Sequence, residues 1–440
     1  MKEKTEAFKE YTAYCGFDNL PEGLEQFYQL YREEEQQYLI SRKFLGEVFY
    51  KYQLPETQQR EITEAVEEIE ADAKLFHFSK FLVWDMCSAR NRCDIDNYTN
   101  MTPVCMTGHR ELYSFLLLLA CVVPSMELLR ARGVPEEYYR DIPFRPMGAQ
   151  LKKLVCGDRK VSDFPWDMNF YTCSIFLMDR FLFIPYRFCD SLTMYRNKAT
   201  NQVLAFLHPG EELRRDGQLN GINEVFDRNG KFLSVWAENE EEITANPINP
   251  MGFVERDTVT ISKKEWNTAL AQGDTLLALH VPSGPGYQPD RLKNSMLLAL
   301  EFYRNYFPEL DIKGFWSESW LYDSRLSLVL DKATSNIVQV QRQFYLYPVK
   351  EGDEMLRYEL FGDPKADPEK VPLKTSLQKA AAAYMRTGAR FNNLSMIVLK
   401  EEADRTDRMP YITARDIDRF KQVVDSHLNL GGANDGQVFP

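Results

Sequence analysis

The sequence predicts a mixed α/β (α+β) protein: a helical amino-terminal domain, then a domain of mixed β-sheet with flanking helices. Three observations carry the prediction. Helical periodicity runs through the first ~155 residues. From Trp166 the composition turns to aromatic and β-branched residues, which favour strands. The stretch from Thr275 to Phe344 reads as strand, crossover helix and strand, the unit that builds parallel pairing. At 440 residues the chain exceeds one ordinary core. The expected division is 1–160 helical, 161–430 α/β, and a disordered tail over 431–440.

In the helical part, Pro55 and Glu56 open a helix in which Ile62, Val66, Ile69, Ala73 and Phe76 recur three and four apart. Phe115 to Leu129 and Glu136 to Leu154 continue the pattern around a Gly133-Val134-Pro135 break. Strands are expected over Phe170 to Asp179, Phe181 to Arg187 and within Leu192 to Phe206. A hairpin is expected where Ile222 to Phe226 and Phe232 to Ala237 flank Asn229-Gly230. A strand near Val259 follows, then a short helix from the Ser262 and Glu265 capping pair to Gly273.

The central unit begins with the apolar run Leu276 to Val281, which reads as a strand buried on both faces. Pro282-Ser283-Gly284-Pro285-Gly286 forces a loop. Leu292, Met296, Ala299, Leu300, Tyr303 and Phe307 then fall at helical spacing until Pro308. Gly314 to Leu321 and Asn336 to Tyr347 are the next expected strands. Thr375 and Gln378 cap a helix from Ser376 to Thr387 that Gly388 closes, and Leu394 to Leu399 is the last strand.

Bulk properties exclude some functions. Apolar content of 44% and charged content of 27% are those of a globular protein. A net charge of -12 disfavours nucleic acid, which needs clustered Lys and Arg. The amino terminus has no apolar signal stretch, so a cytoplasmic location is expected. The run Phe115 to Pro124 is too short for a bilayer and reads as a core helix, so no membrane role is expected. None of the eight cysteines forms a CxxC pair, and no two of the five histidines have HxxxH spacing, so no metal is expected.

Several runs resemble those of a known family: Leu279-His280-Val281-Pro282-Ser283-Gly284, Ser319-Trp320-Leu321, Ser335-Asn336-Ile337-Val338 with Gln341-Arg342, and Thr375-Ser376-Leu377-Gln378-Lys379-Ala380. In order and spacing they look like those of bacterial acyltransferase domain-containing proteins, which pair an N-acyltransferase-like amino-terminal domain with a GNAT-like carboxy-terminal domain. The resemblance covers most of residues 20 to 400. It implies acyl-CoA or CoA as cosubstrate, with Leu279 and Val281 on a splayed strand edge pairing with pantetheine and Ser283, Gly284 and Gly286 facing the pyrophosphate. The loop departs from the usual glycine-rich form, because Pro282 and Pro285 remove two N–H donors.

The catalytic candidates are His280, Glu318, Ser319 and Tyr322. His280 could be a core histidine satisfied by a carbonyl or the acceptor of an amine's proton. Glu318, between Trp316 and Trp320 on one strand face, would have its pKa raised if buried and suit a general base; otherwise it is an exposed edge residue. Ser319 could donate to an oxyanion or cap the next turn. Tyr322 could be the acid for a leaving thiolate or an ordinary amphipathic tyrosine. Trp316, Trp320, Gln341 and Arg342 are the expected substrate contacts, with an ion pair as the alternative for Arg342. The polar cluster Trp84, Asp85, Arg90, Arg92, Asp94 and Asp96 reads as a cleft lining or a loop.

The leading function is transfer of an acyl group from a thioester to an amine or hydroxyl of a small molecule by direct attack. The alternatives are a non-catalytic small-molecule binder on the same fold and a hydrolase, for which no Gly-x-Ser-x-Gly elbow is present. Oligomeric state is not legible.

Overall fold

The computed structural model describes residues 2–32, 38–88 and 98–428. The expected tail over 431–440 and the candidates Arg90, Arg92, Asp94 and Asp96 lie outside the described residues. The chain forms two compact units, Met1–Leu177 and Met178–Pro440. The change of composition near Trp166 suggested an earlier division, but Phe164–Tyr171 is a helix packed on the other helices of the first unit.

The first unit contains helices α1 (Lys2–Cys15), α2 (Leu24–Leu30), α3 (Arg42–Tyr52), α4 (Glu56–Ala71), α5 (Ala73–Cys87), α6 (Tyr113–Ala131), α7 (Phe144–Val155) and α8 (Phe164–Tyr171). The single helix read across Ala73 is two. Asp72 ends α4 and caps α5, its carboxylate accepting from Lys74 N at 3.0 Å and Leu75 N at 3.1 Å. Ile62, Ala65, Val66 and Ile69 of α4 are buried, as their spacing requires. The apolar helix is longer than its densest run: Arg110–Ala131 spans 22 residues, enough by length and composition to cross a membrane. Here most of it is buried, against α5 and α8.

The second unit is built on strands β1 (Phe176–Met178), β2 (Phe181–Arg187), β3 (Leu192–Asn197), β4 (Val203–Leu207), β5 (Glu212–Leu213), β6 (Phe232–Leu233), β7 (Trp236–Glu238), β8 (Glu242–Ala245), β9 (Pro247–Asn249), β10 (Phe253–Val254), β11 (Val259–Ser262), β12 (Trp266–Leu270), β13 (Thr275–His280), β14 (Ile312–Ser319), β15 (Tyr345–Pro348) and β16 (Leu394–Leu399). The main sheet has the order β1-β2-β13-β14-β16-β15. Within it β13 and β14 are parallel, joined by helix α9 (Pro289–Tyr306), while β2, β16 and β15 pair antiparallel. A second sheet, β10-β9-β4-β3-β12, packs on one face of the first. Tyr345 pins the two together, donating to Ile248 O at 2.5 Å and accepting from Ala205 N at 3.0 Å.

Three local expectations fail for tertiary reasons. Ser262 and Glu265 do not start a helix: β11 and β12 flank them, and β12 pairs with β3. The Asn229-Gly230 hairpin does not form, because Arg215 holds Asp227 in a bidentate pair at 2.7 Å and β6 pairs with β5. The Asn336 to Tyr347 strand is helix α10 (Asn336–Gln341), capped by Ser335, followed by the short β15. By contrast the Thr375 and Gln378 capping box is present on helix α11 (Ser376–Met385), and Gly388 takes the left-handed conformation beyond it.

Gly314 lets β14 approach β16. A Cβ there would lie 2.2 Å from Val398 O and 2.8 Å from Leu399 Cα, both backbone atoms. Gly314→Ala is therefore expected to destabilise the chain by roughly 1–3 kcal/mol, the usual cost of overpacking. Denaturant unfolding with an unchanged midpoint would contradict this.

Candidate active site

The two parallel strands part before they end. Pairing between β13 and β14 stops at Ala278 opposite Trp316, yet β13 continues to His280 against Leu182, and β14 continues to Ser319 against Leu394. Beyond Ala278 and Trp316 the facing edges are unpaired with each other, and a wedge opens at the carboxyl ends of both strands. Alternation assigns its lips. His280 and Glu318 each lie two residues past the last pair and share one face, while Ser317 and Leu279 belong to the other.

On the first face the wedge is floored by Tyr186 and Trp316, stacked at 4.3 Å and 17°. The Trp316 Nε1 donates to Asp190 Oδ2 at 3.0 Å and to the Tyr347 hydroxyl at 2.8 Å, and Tyr347 donates in turn to Asp190. Trp316 is thus a fixed part of the floor. Above it, Glu318 edges a cavity of about 300 Å³ with Asp190, Tyr347, Lys350 and Glu351. Burial first, then the charges of Glu351 and Asp190, push its carboxyl up to about 7, against a weak contact from Asn393 Nδ2 at 3.5 Å. Burial pushes His280 the other way, down to about 4, so its imidazole is neutral at physiological pH.

On the second face lies the loop from Pro282 to Gln288, and sequence reasoning missed what holds it. Arg180 sits inside the turn, donating through Nε to Pro285 O at 2.7 Å and through Nη2 to Gly284 O at 2.9 Å and to Pro282 O. Gly284 and Gly286 take positive φ of 110° and 96°, which a side chain rarely adopts. Arg291, on the first turn of α9, pairs bidentately with Asp179 at 2.6 Å. Arg180 lies more than a hundred residues away in sequence and has no local motif, so only the sheet could reveal it.

Other candidates are placed differently. Trp320 leaves the strand: β14 ends at Ser319, whose Oγ accepts from Leu321 N at 3.2 Å and starts a 3₁₀ turn, and Trp320 packs with Leu326, Leu356 and Phe391. It therefore does not flank Glu318 alongside Trp316. Gln341 is buried and splints that turn, donating to Asp323 O at 2.6 Å and Leu321 O at 3.3 Å. Arg342, at the end of α10, forms no ion pair among the described residues, and its Nε is buried without a hydrogen bond. Tyr322 is fully buried, edge-on to Phe344. Among the described residues no cluster of His, Cys, Asp and Glu could hold a metal ion.

The N-acyltransferase N-terminal domain matches residues 43–173, and the GNAT-like C-terminal domain matches residues 214–396. The chain belongs to the acyltransferase family that pairs these two domains. Among solved structures, an acyltransferase in complex with decanoyl-CoA and teicoplanin is similar over 89% of this chain and 98% of that one, at 16% identity and a TM-score of 0.53. An acyltransferase in complex with CoA and 10C-teicoplanin has the same coverage at 15% identity and a TM-score of 0.52. At that identity the likeness concerns the fold. No curated protein matches the sequence.

For this acyltransferase the raised pKa of Glu318 has a thermodynamic signature. The folded chain binds that proton more tightly than the unfolded chain, so stability falls as pH rises from about 4.5 to about 7 and stays lower above. Glu318→Gln is expected to remove this fall. Its melting temperature should gain on the wild type at about pH 8 more than at about pH 5. A constant offset at both pH values would contradict a raised carboxyl.

Proposed function

We propose that the protein transfers an acyl group from acyl-CoA to an amine or hydroxyl of a small-molecule acceptor, by direct attack within the wedge between β13 and β14. The observation that carries this reading is the parting of two parallel strands at a point where one lip bears a carboxyl poised near pH 7. The unpaired edge at Leu279 and Val281 takes the pantetheine arm by strand addition. The loop with Ser283, Gly284 and Gly286, at the start of α9, faces the pyrophosphate; Arg180 and Arg291 supply the positive charge there in place of the N–H donors lost at Pro282 and Pro285.

Chemistry on the other face follows from the pKa values. A base works best when its pKa lies near the operating pH, which favours Glu318 over His280 as the group that takes the acceptor's proton. His280, neutral on the opposite lip, orients the acceptor. The nucleophile forms its bond to the thioester carbon, the C–S bond breaks, and CoA leaves as the thiol. Solved relatives in fold hold decanoyl-CoA, and one also holds teicoplanin, a small-molecule acceptor class to test first. A cytoplasmic location fits an acyl-CoA donor.

Saturating decanoyl-CoA at about a hundred times its Kd should stabilise the protein by about 2.7 kcal/mol, read as a rise in melting temperature. No rise with any acyl-CoA or with CoA would favour a non-catalytic binder of other ligands. Glu318→Gln should lower kcat by about a hundredfold or more and abolish the rise of activity through neutral pH. His280→Ala should lower turnover while leaving the pH midpoint in place; full activity in that variant removes His280 from the mechanism.

A further inference from the structure

The cavity beside Glu318 carries an excess of carboxyl groups next to an apolar lining. Asp190, Glu211, Glu318 and Glu351 line its volume of about 300 Å³, together with Lys350, Leu207, Leu219 and Val349. Four carboxyl groups thus share one ammonium, and that one is taken: Lys350 Nζ lies 3.1 Å from Glu211 Oε1. The Asp190 carboxylate accepts from neutral donors, Trp316 Nε1 and the Tyr347 hydroxyl. Neither it nor Glu318 nor Glu351 forms an ion pair among the described residues. A further oxygen behind Glu318 also lacks a donor. Asn393, 5% exposed, reaches Glu318 Oε1 from Nδ2 at 3.5 Å and donates its backbone N–H to Glu351 O at 3.3 Å, so its amide is held between two residues that line the cavity. Its Oδ1 is buried with no hydrogen bond, and such atoms are rare in native chains. This corner has oxygens in excess and is short of positive charge and N–H donors. An aliphatic ammonium brings a charge, three N–H donors and methylenes for the apolar lining. Lys350 shows the fit with the chain's own atoms, as an ammonium on an alkyl stem resting on one of these carboxylates.

We propose that the acceptor is a short aliphatic diamine, its reacting nitrogen at Glu318 and its second, charged nitrogen among Asp190, Glu211 and Glu351. The inference rests on the wedge being the site of acyl transfer, and it names the acceptor for that site. Charge is the reason for two nitrogens rather than one. The reacting ammonium must become a free amine before it attacks, so its own charge is gone when the new bond forms. Glu318 serves that nitrogen, and the remaining carboxylates are matched only by a cation that stays charged. The ammonium passes one proton to ionised Glu318 and so to water, and its freed lone pair bonds to the thioester carbon. The C–S bond breaks, the second proton leaves nitrogen for the departing thiolate, and the products are an amide, CoA as the thiol and one proton in solution. The methylenes between the nitrogens lie on Leu207, Leu219 and Val349. A volume of about 300 Å³ is at the small end for ligands, which limits the chain to a few carbons.

The test compares three acceptors of equal heavy-atom count with decanoyl-CoA as donor: 1,4-diaminobutane, pentylamine, which has no second polar group, and 4-aminobutan-1-ol, whose second group is neutral. The diamine should show a kcat/KM about tenfold or more above either of the others, the difference that a hydrogen bond to a charged group makes. In Glu351→Gln and in Glu211→Gln the ratio of kcat/KM for the diamine to that for pentylamine should fall toward one. The ratio is the readout because any effect of the lost charge on Glu318 is common to both amines and cancels. Equal kcat/KM for the three acceptors, or an unchanged ratio in both variants, overturns the diamine assignment. A wild type that acylates none of these amines, nor hydroxylamine, overturns the transferase reading itself. Turnover of pentylamine with no preference for the diamine leaves that reading standing and removes only the present inference.

Discussion

The parting of β13 from β14 is the constraint on which the rest of the second unit depends. Two parallel strands normally gain by pairing to their ends, and here each gives up its last residues to a different neighbour. β13 stays paired with β2 through His280, and β14 stays paired with β16 through Ser319. Neither strand frays, because each has a full ladder on its outer side. The wedge is thus the by-product of two satisfied edges, and its shape is set by the outer strands that hold them. Gly314 belongs to this account, since only a residue without Cβ lets β16 lie close enough to keep β14 in place.

A buried polar network fixes the far lip. After β14 the chain enters the turn that contains Asp323, a fully buried carboxylate that accepts from Asn392 N at 2.8 Å and Arg325 N at 3.0 Å. Arg325 reaches Asp216 at 3.3 Å, and Asp216 also holds Arg214 at 3.1 Å. Buried ion pairs often contribute little net stability, because desolvation offsets attraction, but breaking one leaves a charge with no solvent. The value of this chain of charges is therefore geometric: it allows one path for the turn that carries Tyr322. Glu318, two residues into the wedge, is pushed up first by burial and then by the charges of Glu351 and Asp190.

How much of this was legible in the sequence follows from how far apart the cooperating residues lie. The strand, loop, helix and second strand from Thr275 to Ser319 were read correctly because each is signalled within its own segment, and the family resemblance rests on the same segments. The raised pKa of Glu318 was legible because its desolvation comes from adjacent strand residues and the sheet around them. The neighbours that complete the picture were not. Tyr186, Asp190 and Arg180 reach the wedge only through the β2 pairing, across about a hundred residues of intervening chain. Trp320 was misplaced because strand alternation was carried one residue past Ser319, whose cap ends the strand. The failed hairpin and the failed helix near Ser262 share a cause: a local turn or cap signal was outweighed by a partner that local reading cannot supply.

The loop after β13 shows how a local objection can dissolve in tertiary context. Pro282 and Pro285 delete two N–H groups, which counts against a loop whose amides must all point inward. In the folded chain it is the carbonyls of Pro282, Gly284 and Pro285 that point inward, toward one guanidinium. A proline keeps its carbonyl, so neither residue loses anything this arrangement uses, and its fixed φ reduces the freedom the loop must surrender. The electrostatic sense is preserved by different means. A ring of amides would present several partial positive charges, whereas Arg180 brings one full charge that the three carbonyls orient without neutralising. Burial, then the nearby Arg291, lowers the Arg180 pKa, while Asp179 acts the other way. The two prolines, with φ fixed, help to keep the carbonyls that hold the guanidinium in place.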